Sequence, residues 1–180
     1  LDSDFLRYSM YEYLTNQDMY NLACTCSLLT FYPEGIQSLY FYRADQTLIN
    51  KVKQKIKQGD CEMVKRISIV ENTIPNLIKN ISSCLPLLPA LNTIHIERND
   101  INHGSIRYLV RAFLNLKKDV PTIEKFTLRN NIIDHYGTKL IAPILPNLPR
   151  LKYINIGRNG FLDNGILDLS DPTVLPNCPS

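Results

Sequence analysis

Tryptophan is absent from this 180-residue chain, and glycine is scarce at 7 residues. So little glycine, with 11 prolines, excludes a collagen-like chain, and 44% hydrophobic residues exclude a wholly disordered one. No apolar run approaches the roughly 18 residues of a membrane-spanning helix, so no membrane partner is expected. Neither sign of charge dominates. Twenty Lys and Arg against 17 Asp and Glu leave +3, too little to imply a nucleic-acid partner. The five cysteines contain no C-x-x-C pair, their number is odd, and no signal peptide precedes them. They read as small buried thiols in a reducing compartment, cytoplasmic or nuclear. His95, His103 and His135 are not clustered with cysteines at ligand spacing, so no metal is expected. Gly157 and Gly160 do not form a phosphate-cradling loop, and no cofactor is expected. Leu1 in place of Met reads as the start of a fragment.

What is present is uneven. Of the 16 aromatic residues, 10 lie in residues 1–42. The rest of the chain repeats itself. Ile94-His95-Ile96-Glu97-Arg98-Asn99 is matched by Phe126-Thr127-Leu128-Arg129-Asn130-Asn131 and by Ile154-Asn155-Ile156-Gly157-Arg158-Asn159. Each is preceded by an apolar residue three positions earlier, at Leu91, Ile123 and Leu151. Each is followed by another two positions after the Asn, at Ile101, Ile133 and Phe161. A weaker copy runs through Val64, Ile67, Ile69, Asn72 and Ile74.

The asparagines Asn72, Asn99, Asn131 and Asn159 are thus 27, 32 and 28 residues apart. The pattern resembles the leucine-rich repeat, and its period resembles the ribonuclease-inhibitor type. That resemblance implies an α/β solenoid of about four strand-turn-helix repeats, with stacked Asn side chains bonding the turns of neighbouring coils. The alternation at the first apolar positions gives a short strand with one inward face. Helical spacing follows at Leu109, Phe113, Leu114 and Leu116, and again at Leu140, Ile141, Ile144 and Leu145. Pro143 and Pro146 predict a short or kinked second helix. Gly137 and Gly165 stand six residues after their Asn and Gly104 only five, which predicts a local deletion or altered turn at Asn102-His103-Gly104. The longer repeat is expected to carry its insertion near Lys117-Lys118-Asp119. The array occupies residues 39–180. It starts with a degenerate strand at Leu39-Tyr40-Phe41 and a linking helix over 45–58, whose Lys51, Lys53, Lys55 and Lys57 face solvent. It ends in a truncated cap after Gly165.

Residues 1–38 differ. Two amphipathic segments flank Thr15-Asn16-Gln17-Asp18, and residues 1–35 carry Asp2, Asp4, Glu12, Asp18 and Glu34 against Arg7 alone. Leu6, Met10 and Tyr11, the Tyr13-Leu14 pair, Asp18-Met19 and then Leu22 and Cys26 resemble an F-box. The opening Leu-Pro of that motif is replaced by Asp2-Ser3, and Leu28 or Leu29 stands for its Trp. The resemblance implies docking to a Skp-type adaptor through Leu6, Met10, Tyr11, Tyr13, Leu14, Asp18, Met19 and Leu22. The chain would then be the substrate receptor of a Skp-cullin-F-box ubiquitin ligase, monomeric outside the complex. In a bacterial effector that mimics a host ligase subunit, the compartment would be the host cytosol. The alternative is a stand-alone repeat protein that binds or inhibits a target, with the first helices as a cap.

On either reading the target meets the concave face. The strand register assigns His95, Glu97 and Arg98, then Thr127, Arg129 and Asn130, then Tyr153, Asn155 and Arg158 to that face. It also predicts that Glu97 neighbours Arg129 and that Glu71 neighbours Arg98, since adjacent strands lie about 4.8 Å apart. No nucleophile and carboxylate accompany His95 in a recognisable arrangement, and no enzyme is expected. His103 and His135 are expected in solvated turns.

Overall fold

The computed structural model describes residues 38–44, 46–73, 76–116 and 123–161. Five strands run in chain order through one parallel sheet: β1 Ser38–Tyr42, β2 Arg66–Val70, β3 Thr93–Glu97, β4 Lys125–Thr127 and β5 Tyr153–Asn155. Helices α1 Gln46–Gln58, α2 Leu77–Ser82, α3 His103–Leu114 and α4 His135–Ile141 fill the crossovers. The mixed α/β, leucine-rich-repeat-like order is the one the repeats predict, with the degenerate first strand counted as a fifth. The F-box-like segment, the Lys117-Lys118-Asp119 insertion and the terminal cap lie outside the described residues.

Alternation drives the packing. Phe41, Ile67, Ile69, Ile94, Ile96, Phe126 and Leu128 point from the strands into one core. The helices answer with Ile49, Ile56, Ile78, Ile81, Ile106, Leu109 and Phe113. Phe113 meets Phe126 edge to face at 5.2 Å, a geometry aromatic rings prefer. Fully burying each such side chain is worth about 1.5–3 kcal/mol, which no single coil could collect alone. Pro86 and Pro143 each sit early in a 3-10 helical turn, Leu85–Leu87 and Ala142–Asn147. There the missing N–H costs nothing.

Three details differ from the sequence reading. Leu114 is exposed, and Ala112 takes its place in the core, because the inward stripe of α3 runs through Ile106, Leu109 and Phe113. His103 and His135 begin helices α3 and α4 instead of lying in turns. No deletion occurs at Asn102-His103-Gly104. Asn102 caps α3 by accepting from Ser105 N–H at 3.0 Å, and Asp134 caps α4 by accepting from Gly137 N–H at 3.0 Å. Both caps stand three residues after the ladder Asn, so Ser105 is the counterpart of Gly137 and Gly104 is not.

Candidate interaction surface

Each coil turns sharply at its strand end. Arg43, Glu71, Arg98, Asn130 and Arg158 all have positive φ, from 43° to 57°. Such a conformation costs a non-glycine residue about 1–3 kcal/mol. After Glu71, Arg98, Asn130 and Arg158 the residue that follows is an Asn, which offsets the cost. Asn72, Asn99 and Asn131 donate from Nδ2 to the carbonyl two residues back, at 2.8, 2.7 and 3.0 Å. Their Nδ2 atoms also reach the preceding coil, at Phe41, Ile69 and Ile96 carbonyls. Their Oδ1 atoms accept from the equivalent backbone N–H one coil earlier: Asn72 from Ala44 at 2.7 Å, Asn99 from Asn72 at 3.0 Å and Asn131 from Asn99 at 2.9 Å. Asn159 continues the ladder by bonding Leu128 O and accepting from Ile133 N–H. Ala44 occupies the ladder position of the first coil. It has only a backbone N–H to offer, and the Asn repeat could not reveal it.

This scaffold presents one sheet face away from the helices, with side chains aligned in rows across the strands. One row is Ser38, Arg66, Thr93, Lys125 and Tyr153; the next is Tyr40, Ser68, His95, Thr127 and Asn155. A third runs through Tyr42, Val70 and Glu97. Arg129 extends it, with Nη1 3.8 Å from Glu97 Oε1. Beyond the rows lie the positive-φ residues, so Arg98, Asn130 and Arg158 form a rim rather than part of the strand face.

The expected neighbours meet. Arg98 Nη1 is 3.1 Å from Glu71 Oε1, and Arg43 Nη2 is 2.9 Å from Glu71 Oε2. Tyr42 Oη also donates to Glu71, at 3.1 Å. The guanidinium of Arg98, then that of Arg43, holds the Glu71 carboxyl below the usual glutamate range. Arg43 lies over the Tyr42 ring, 5.1 Å from its centre. His95 Nε2 is 3.4 Å from Glu97 Oε2. Burial lowers the His95 pKa against the upward pull of Glu97, with Arg66 adding to the lowering.

Exposure divides the expected contact residues. Tyr153 is half-exposed, its hydroxyl accepting from Asn155 Nδ2 at 3.1 Å. Arg66, Lys125 and Arg158 are exposed. Thr127 is buried, as is Ser68, because larger neighbours crowd the middle row. It is a spacer more than a contact. The adaptor-docking residues Leu6, Met10, Tyr11, Tyr13, Leu14, Asp18, Met19 and Leu22 lie outside the described residues.

A second feature, missed in the sequence, lies on the helical side. His103, Arg107, Tyr136, Lys139 and Leu140 line an open groove of about 400 Å³ between α3 and α4. His103 Nδ1 stands 3.1 Å from Asp134 Oδ2, tying the start of α3 to the cap of α4. His103 just after the α3 cap and Asp134 as the α4 cap, one repeat apart, were the available signal. Among the described residues no cluster of His, Cys, Asp or Glu could hold a metal ion, and no helix is long and apolar enough to cross a membrane.

No protein-family model matches the chain. Over 118 residues, 66% of its length, it is 29% identical to Protein NLRC5 of Mus musculus. It spans only 6% of that relative. Two solved structures share the fold at 12% identity. The tropomodulin C-terminal domain of Caenorhabditis elegans has a TM-score of 0.60 over 83% of this chain and 89% of that one. The Leiomodin-1 Actin-Binding Site 2 has a TM-score of 0.54 over 73% and 90%.

Proposed function

We propose that the chain is a protein-binding repeat module that takes its target on the sheet face and carries no chemistry of its own. One observation supports the reading most. The face away from the helices carries Arg66, Arg129 and a half-exposed Tyr153, with Arg98 and Arg158 on its rim, the residue types that dominate binding hot spots. The likeness to a region of NLRC5 and to two repeat-like domains agrees with it. One of those is named for binding actin, which makes actin a first candidate target. Capture from lysate by the wild type, by Tyr153→Ala/Arg158→Ala and by the helix-side pair Arg107→Ala/Lys139→Ala tests the reading. Loss on the sheet variant alone supports it. Loss on the helix-side pair alone moves the site to the α3–α4 groove.

A ubiquitin-ligase receptor role is the finer reading, and it rests on the F-box resemblance of residues 1–35. A Skp-type adaptor binds the wild type, and the binding falls when Leu14 and Met19 become charged, if that role holds. Circular dichroism must show that the variants still fold. Unchanged or absent binding removes the ligase role and leaves the binding module. Either role is exercised in the cytosol or nucleus.

A further inference from the structure

We propose that the sheet face selects an acidic protein segment, whose carboxylates dock on the arginine rim. The proposal rests on the reading of this face as the binding surface and names the chemistry of what it binds.

The rim charges form one chain. Arg43 meets Glu71 at 2.9 Å, Glu71 meets Arg98 at 3.1 Å, Arg98 lies 4.0 Å from Glu97, and Glu97 lies 3.8 Å from Arg129. It begins and ends on arginine. Exposure separates the two signs of charge. The Glu71 and Glu97 side chains are 26% and 18% exposed, while Arg43, Arg98 and Arg129 are 66%, 53% and 39% exposed. The carboxylates are recessed and the guanidinium heads stand outermost, so an approaching partner meets positive charge. Arg129 meets one recessed carboxylate, Glu97, and a guanidinium with five N–H donors can bond a second. Its geometry is already fixed, which lowers the entropy cost of a new pair. Arg66, Lys125 and Arg158 have no ion-pair partner among the described residues and extend the positive field across the sheet.

The pattern suits separate carboxylates better than a continuous polyanion. Glu71 and Glu97 space the arginines apart, so the positive charge comes as separate heads and not as an unbroken track for a phosphate backbone. Tyr153 is the large exposed aromatic on this face, whereas single-stranded nucleic acid favours a series of stacking platforms.

The test is selection of random dodecapeptides on the full chain, followed by fluorescence anisotropy with labelled winners. We expect enrichment in Asp and Glu, affinity that falls as salt rises, and a loss of about tenfold in the rim variant Arg43→Gln/Arg98→Gln/Arg158→Gln, from three exposed charge contacts. These residues are exposed, and circular dichroism checks that the fold is kept. Selected peptides without acidic bias that lose binding on Tyr153→Ala overturn the acidic inference and leave the surface standing. Peptides that bind regardless of both variants overturn the surface as well. Failure to select any peptide overturns the inference, as does a labelled 20-nucleotide poly(dT) that binds more tightly than the best peptide.

Discussion

Asn131 is the residue on which the stacking account is most exposed to test. Its buried side chain donates from Nδ2 to Ile96, Leu128 and Arg129 carbonyls at 3.2, 3.0 and 3.0 Å. Its Oδ1 accepts from Asn99 N–H at 2.9 Å and Ile101 N–H at 3.3 Å. Asn131→Ala strips two backbone donors of their acceptor, the Ile101 N–H buried and the Asn99 N–H part-buried. Each orphaned donor costs about 1–3 kcal/mol. The carbonyls keep a second lone pair and lose less. The sum is about 3–5 kcal/mol, a large part of the roughly 5–15 kcal/mol that holds a domain folded. Asn159 is the internal control. It is half-buried, and its Oδ1 accepts from Ile133 N–H at 3.2 Å. Asn159→Ala should therefore cost about 1–2 kcal/mol. Urea unfolding followed by far-ultraviolet circular dichroism measures both, since no tryptophan is available. A cost below 1 kcal/mol for Asn131→Ala, or equal costs for the two variants, would refute the reasoning.

Other outcomes follow from single contacts. A Cβ at Gly137 would collide with Ile133 Cγ2. Gly137→Ala should thus destabilise by about 1–3 kcal/mol, and Gly137→Ala with Ile133→Ala should cost less than the two added; simple additivity would show that the collision is relieved elsewhere. Glu71 titrates below its ordinary range because Arg98 and Arg43 bond its charged form. The stability it contributes is complete above the unfolded glutamate pKa and disappears as pH falls through the folded one. Glu71→Gln or high salt should flatten that part of the acid limb, and an unchanged profile would mean the pair contributes nothing. Cys61 and Cys84 are buried, and burial raises both thiols. Peptide mapping after thiol labelling should find them protected until urea unfolds the chain, and rapid labelling in buffer would contradict their burial.

The fold was legible because its two signals are periodic. Alternating apolar residues marked the strands, and Asn recurring near 28 residues marked the turns, so the Glu71–Arg98 and Glu97–Arg129 neighbours could be named from register alone. What was not legible depends on single positions. Ala44 continues the ladder through its backbone N–H alone, which an Asn repeat does not mark. Leu114 is a strong apolar residue on an exposed face, and Leu109 beside Phe113 made it look like part of the stripe. Gly104 seemed out of place because glycine was counted, whereas the cap depends on Asn102 and the N–H it bonds. Positive φ at Glu71, Arg98 and Arg158 carries no signature at the residue itself, since the Asn that follows, not glycine, makes the turn tolerable. The rim arginines were visible as residues, but the depth difference between their heads and the recessed glutamates emerged only in three dimensions.

The central claim is that a protein target lands on the sheet face, and two tyrosines test it in a matched pair. Tyr153 is 49% exposed on the sheet face and Tyr136 is 58% exposed on α4. Each is replaced in turn by the photo-crosslinker benzoylphenylalanine and irradiated with the captured target. The account predicts a crosslinked product from position 153 and none from position 136. Crosslinking from 136 alone would contradict it.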